Sequence, residues 1–146
     1  MTPFRLLNAF AACLIAAPAF AEEPAFLFDA LQSRGSAYRA SWDRLMKDVQ
    51  PTPDWLVQFN RNFDGDSGNM APVTIGGKPY AISFVCKPTD CASRKFVVMF
   101  DANGAHAFGA LGGRGEPPEF FGAPSKDEQE AMAKGFSEAA PAALKP

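Results

Sequence analysis

Histidine is nearly absent: among 146 residues, only His106 carries an imidazole. A site needing two or more imidazoles, as most catalytic zinc centres do, is therefore excluded. An excess of one charge sign is missing too. Fourteen Lys and Arg against sixteen Asp and Glu leave a net charge of −2. A broad basic face for nucleic acid is excluded on that balance. Glycine and proline number 12 and 13, together short of the roughly 25–30% that marks low-complexity chains. Hydrophobic residues make up 47% and charged residues 21%, which excludes intrinsic disorder. Such a length fits one domain. No apolar run reaches the ~20 residues of a membrane-spanning helix.

The first 21 residues read differently from the rest. Arg5 precedes an apolar run from Leu6 to Ala19, and Ala19-Phe20-Ala21 is a small-x-small cleavage site before Glu22-Glu23-Pro24. That is the pattern of a cleavable signal peptide. A lipoprotein signal fits poorly, because the apolar run continues past Cys13. The expectation is a removed segment 1–21 and a single domain over 22–146, exported to the periplasm. Losing 21 residues and Arg5 leaves 125 residues at −3. It also leaves two cysteines, Cys86 and Cys91. A cysteine pair in an exported protein most often forms a disulfide; two free structural thiols are the alternative.

Pattern and punctuation predict an α+β fold. Pro24 to Ser33 reads as one or two helical turns, broken at Gly35. Ser36 is a candidate N-cap. Tyr38, Trp42, Leu45 and Val49 then form one apolar stripe on a helix of about fourteen residues, ended by Pro51 and Pro53. Asp54 to Val57 reads as a further turn with Trp55 and Leu56 facing inward, and Asn62 to Asn69 as a loop. The period then becomes two. Strands are predicted at Val73–Ile75, Tyr80–Cys86, Lys95–Phe100 and Ala105–Leu111, with a tight turn at Gly76-Gly77 and a turn at Asp101–Gly104. Lys95–Phe100 is apolar on both faces, so it belongs in the middle of the sheet. Phe120-Phe121 reads as a short fifth strand. Connections this short make an antiparallel meander of four to five strands. Ser125 and Glu128 form a capping box for a last helix that buries Met132 and Phe136. An antiparallel sheet is thus flanked by an N-terminal amphipathic helix and a C-terminal helix.

Cys86-Lys87-Pro88-Thr89-Asp90-Cys91 is the most informative segment, because it joins two predicted strands. Closing six residues by a disulfide adds only about 2 kcal/mol of stability. Rigidity is the better motive. Pro88 fixes φ, and Asp90 can accept backbone hydrogen bonds. A stiff polar knob of this kind suits insertion into a partner's cleft; a stapled hairpin with no partner is the plain alternative. Thioredoxin-like chemistry needs two residues between the cysteines rather than four. A metal site would need Cys86, Cys91, His106 and an acid to converge. Asp64 to Asn69 resembles a calcium loop but departs from it at positions five, six and twelve, and reads as a solvated turn. The glycine-rich stretch 109–115 lacks the strand–turn–helix setting of a phosphate loop. Glu116 and Glu119 read as a solvated rim. With no G-x-S-x-G motif and no paired acids, the chain is not expected to be an enzyme, and no cofactor is implied.

At Cys86–Cys91 the sequence resembles the periplasmic inhibitors of vertebrate lysozyme (Ivy), whose signature is a disulfide-closed C-K-P-H-[DN]-C loop between two strands. Cys86, Lys87, Pro88, Asp90 and Cys91 match it, as do Pro53-Asp54-Trp55 after the helix and Val97-Val98-Met99 in the outgoing strand. The likeness is read over Ala37 to Leu111 and fades beyond. It implies a Cys86–Cys91 disulfide and a lysozyme-binding loop of Lys87, Pro88, Thr89 and Asp90. The implied partner is c-type lysozyme or a related peptidoglycan glycosidase, with a homodimer left open. Lysozymes are basic, so an acidic inhibitor would be steered toward them. One position departs: the family's central histidine is Thr89 here. Threonine donates one hydrogen bond and carries no charge, so weaker inhibition, or a different muramidase target, is expected.

Overall fold

The computed structural model describes residues 25–63 and 65–137. The expected signal peptide, Asp64 and the final prolines lie outside them. The elements are α1 (Leu27–Gln32), α2 (Ala37–Asp48), α3 (Asp54–Asn62), β1 (Ala71–Ile75), β2 (Lys78–Cys86), β3 (Lys95–Asp101), β4 (Ala107–Gly112), β5 (Glu119–Phe121) and α4 (Lys126–Ser137). The strands form one five-stranded antiparallel meander in chain order. The α+β architecture expected from the pattern is what the chain adopts.

The sheet divides two apolar layers because side chains alternate along a strand. From β3, Phe96, Val98 and Phe100 face α1, α2 and α3, where they meet Leu31, Trp42, Leu45, Leu56 and Phe59. Val97 and Met99 face the other way, toward Met132 of α4. Every residue from Lys95 to Phe100 is buried, as expected of a central strand covered on both sides. Trp42 is the hub of the first layer. Its ring meets Phe59, Phe63 and Phe96 edge-on at 5.8–6.4 Å, and its indole N–H donates to Asn60 Oδ1 at 2.6 Å. A buried Trp N–H needs such a partner.

The local signals hold. Ser36 Oγ accepts from the Arg39 N–H at 3.1 Å, capping α2. Ser125 N–H donates to Glu128 Oε2 at 2.6 Å and Glu128 N–H to Ser125 Oγ at 3.4 Å, the reciprocal pair that starts α4. Gly76 and Gly77 both have positive φ (56° and 77°), as a two-residue hairpin of the primed type requires.

Two expectations need correction. The turn at Asp54–Val57 is a nine-residue helix, α3. Leu56 and Phe59 lie on its inner face, and Phe63 caps it at φ 58°. The segment after it is not a freely solvated turn. Asp66 O accepts from Cys86 N–H at 2.9 Å, Gly68 N–H donates to Phe84 O at 2.9 Å, and Ser67 bridges Val85. Its backbone thus occupies the edge of β2 just before Cys86. Backbone donors this near the core need partners, and here the chain supplies them.

Candidate functional site

Cys86 ends β2 and pairs across the ladder with Lys95, which begins β3. The eight residues between them are pinched by a Cys86–Cys91 disulfide, with Cα atoms 4.7 Å apart. Inside the pinch, Asp90 N–H donates to Lys87 O at 3.0 Å. That bond closes a four-residue turn with Pro88 second and Thr89 third. Thr89 has φ 65°. Proline second and positive φ third is the type II pattern, which favours glycine or asparagine at the third place. A β-branched residue there is an outlier, at a cost of about 1–2 kcal/mol.

The rest of the connection satisfies its own backbone. Lys87 N–H donates to Arg94 O at 3.0 Å and so extends the ladder by one pair. The Asp90 carbonyl accepts from Ser93 N–H at 3.2 Å and Arg94 N–H at 3.1 Å. It is therefore the Asp90 main chain that organises the knob. The Asp90 carboxylate instead lies 3.9 Å from Lys87 Nζ, with both side chains partly exposed. An exposed pair of this kind is worth at most about 1 kcal/mol. Lys87, Pro88 and Thr89 are exposed and Asp90 is half-buried. The result is a stiff tip carrying one cation, one hydroxyl and one anion.

Two neighbouring segments support the knob, and neither is legible as support in the sequence. Asp66 O, noted above, receives the Cys86 N–H. On the other side lies the connection from β4 to β5. Gly113 packs against the main chain of Ser93 so closely that a Cβ there would overlap the Ser93 carbonyl oxygen. Arg94 Nη1 and Glu116 Oε2 lie 3.6 Å apart. Glu116, expected as part of a solvated rim, is thus exposed but paired.

His106 belongs to a different place. Its Nδ1 meets Asp101 Oδ2 at 2.7 Å, and its ring is largely exposed. Asp101 and His106 sit at the far end of β3 from Lys95, about 20 Å of strand away at ~3.3 Å per residue. His106 and the cysteine pair therefore do not form one site. Among the described residues, no three His, Cys, Asp or Glu side chains gather as a metal site. No helix among them is long and apolar enough to cross a membrane.

The family model for the inhibitor of vertebrate lysozyme (Ivy) matches residues 37–145. This extends the likeness well past Leu111, through the glycine-rich connection and α4. A Pseudomonas aeruginosa protein named inhibitor of vertebrate lysozyme is 32% identical over 111 residues, covering 75% of this chain and 69% of its own. An uncharacterised protein of the same organism is 33% identical over 79 residues, 54% of this chain and 48% of its own. With the meander and the disulfide-closed connection in place, the chain belongs to the inhibitor of vertebrate lysozyme (Ivy) family.

Proposed function

We propose that this protein is a periplasmic inhibitor, not an enzyme, and that it blocks c-type lysozyme by inserting the 86–91 loop into the active-site cleft. The observation that carries this reading is the exposed, disulfide-closed Lys87–Asp90 turn in a member of this family. A lysozyme cleft holds a protonated glutamic acid and an ionised aspartate. Lys87 offers charge, Thr89 a hydroxyl donor and Asp90 an acceptor to such a pair. Because the turn is already closed and bonded, little ordering entropy is left to lose on binding. The export pattern of residues 1–21 supports an encounter in the periplasm.

Thr89 favours a refinement. Charge-assisted hydrogen bonds are about twice as strong as neutral ones, so threonine at the tip weakens contact with paired carboxylates. A bacterial muramidase or lytic transglycosylase, whose cleft also holds an acidic catalyst, is the second reading that Thr89 supports. The test is inhibition of cell lysis by purified oxidised protein, wild type and Thr89→His, against c-type lysozyme and a panel of bacterial lytic enzymes. Thr89→His is expected to inhibit c-type lysozyme about tenfold more tightly, from the ~1.4 kcal/mol gained by charging the contact. Equal, tight inhibition by both would remove the role given to Thr89. Inhibition of a bacterial enzyme alone would select the second reading.

A further inference from the structure

The two connections β2–β3 and β4–β5 emerge at the same end of the meander. They touch at main-chain level. Gly113 lies on the Ser93 carbonyl, and the Arg94–Glu116 pair crosses the same gap. The second connection is itself shaped: Glu116 N–H donates to Gly113 O at 3.4 Å, with Gly115 at φ 81°. Gly113 does not have positive φ, so conformation does not demand glycine there. Space does. Its neighbour is a carbonyl oxygen, which cannot swing aside as a side-chain tip can.

From this we infer that Gly113 is a positioning residue for the inhibitory loop. The Gly113–Glu116 turn acts as a brace, seated on Ser93 and Arg94, that sets the direction in which the Lys87–Asp90 turn points. Arg94 leads straight back to Asp90, whose carbonyl holds both Ser93 N–H and Arg94 N–H. Displacement of Ser93 is therefore passed to the tip through two hydrogen bonds. The inference rests on the reading of loop 86–91 as the inhibitory element. It adds that potency depends on a residue outside the disulfide loop and outside the motif.

The experiment uses Gly113→Ala and Glu116→Gln in the oxidised protein. In the free protein, amide chemical shifts of Lys87, Thr89 and Asp90 are recorded, with those of Gly76 and Gly77 as the distant control. Inhibition of c-type lysozyme is measured in parallel. Gly113→Ala is expected to move the three loop amides, leave the control amides in place and weaken inhibition about tenfold. Glu116→Gln is expected to act in the same direction by about threefold. In a background opened by Cys86→Ser and Cys91→Ser, Gly113→Ala is expected to add no further loss, which a general effect on stability would not reproduce. Unmoved loop amides in folded Gly113→Ala, full potency of that variant, or a further loss in the opened background would each overturn the inference. Should Gly113→Ala not fold, Glu116→Gln decides by the same shifts: moved loop amides support the brace, and unchanged ones overturn it. Should wild type fail to inhibit lysozyme, the functional reading falls, and the free-protein shifts still judge the brace.

Discussion

Two turns stand side by side at one end of the sheet and are built alike. Lys87–Asp90 and Gly113–Glu116 each close with the fourth N–H on the first carbonyl, at 3.0 Å and 3.4 Å, and each puts its third residue at positive φ. In the second turn that residue is Gly115, which meets the demand without steric cost. In the first it is Thr89, which pays about 1–2 kcal/mol. The first turn also carries a disulfide and Pro88. Where the chain only has to reverse and brace, glycine serves. At the exposed tip of the first turn a strained residue is kept, and the disulfide and the bonded main chain around it hold it. Strain of this kind persists where the structure over-determines it, and it gathers at functional sites.

The comparison breaks most visibly if the first turn is released. Cys86→Ser with Cys91→Ser is expected to cut inhibition on the order of 100-fold, because several residues then have to be ordered on binding. The fold is expected to remain, at a loss of about 2 kcal/mol in denaturant unfolding. Retained potency would remove the loop as the site.

The next effects are smaller and opposite in sign. Thr89→Gly relieves about 1–2 kcal/mol of strain but adds about 0.5–1 kcal/mol of unfolded-state entropy. A net stabilisation of roughly 0.5–1 kcal/mol is expected, together with weaker inhibition. Gly115→Ala is the mirror case. Nothing lies within 4 Å of the added Cβ, so the cost is conformational, roughly 0.5–1 kcal/mol of stability, with inhibition within twofold of wild type. Thermal unfolding and inhibition constants of both variants check the pair. Destabilisation by Thr89→Gly would show that the turn is not strained.

The smallest effect lies away from both turns. Tyr80 donates to Glu128 Oε1 at 2.8 Å and ties β2 to α4. Burial works to raise the Glu128 carboxyl, but the Ser125 N–H, the Tyr80 and Ser125 hydroxyls and the Lys78 charge outweigh it and hold it below its usual 4.5. The same bond to Glu128, with burial, pushes the Tyr80 phenol above its usual 10.0. A depressed carboxyl stabilises above its unfolded value and loses that contribution as pH falls through the folded one. A raised phenol stabilises below its unfolded value and loses that contribution as pH rises through the folded one. Tyr80→Phe is thus expected to cost about 1 kcal/mol at neutral pH. The gap to wild type should narrow below about pH 4 and above about pH 10, with inhibition unchanged. A gap constant from pH 3 to pH 11 in urea unfolding would contradict this.

What the sequence made legible was what adjacent residues decide. The Trp42 stripe, the Ser36 cap, the Ser125–Glu128 box and the alternation along β2 act within a few residues, and each appears where the pattern places it. The length of α3 was readable in principle, since Phe59 follows Leu56 by three and Phe63 by seven. Its continuation is obscured by the polar Gln58, Asn60 and Arg61 between them. The left-handed Thr89 had a signal in Pro88, which as second residue of a turn allows a positive-φ third residue. Threonine's own preference argued the other way. The supports under the knob had no local signal. Asp66 reaches Cys86, and Gly113 reaches Ser93, through main-chain atoms brought together only by the folded sheet.

Hydrogen exchange of the protein with and without excess c-type lysozyme tests the central claim most directly. Protection is predicted at the Lys87, Thr89 and Asp90 amides, with Gly76 and Gly77 at the opposite end of β2 unchanged. Protection at Gly76 and Gly77, with the loop amides exchanging as in the free protein, would contradict the account.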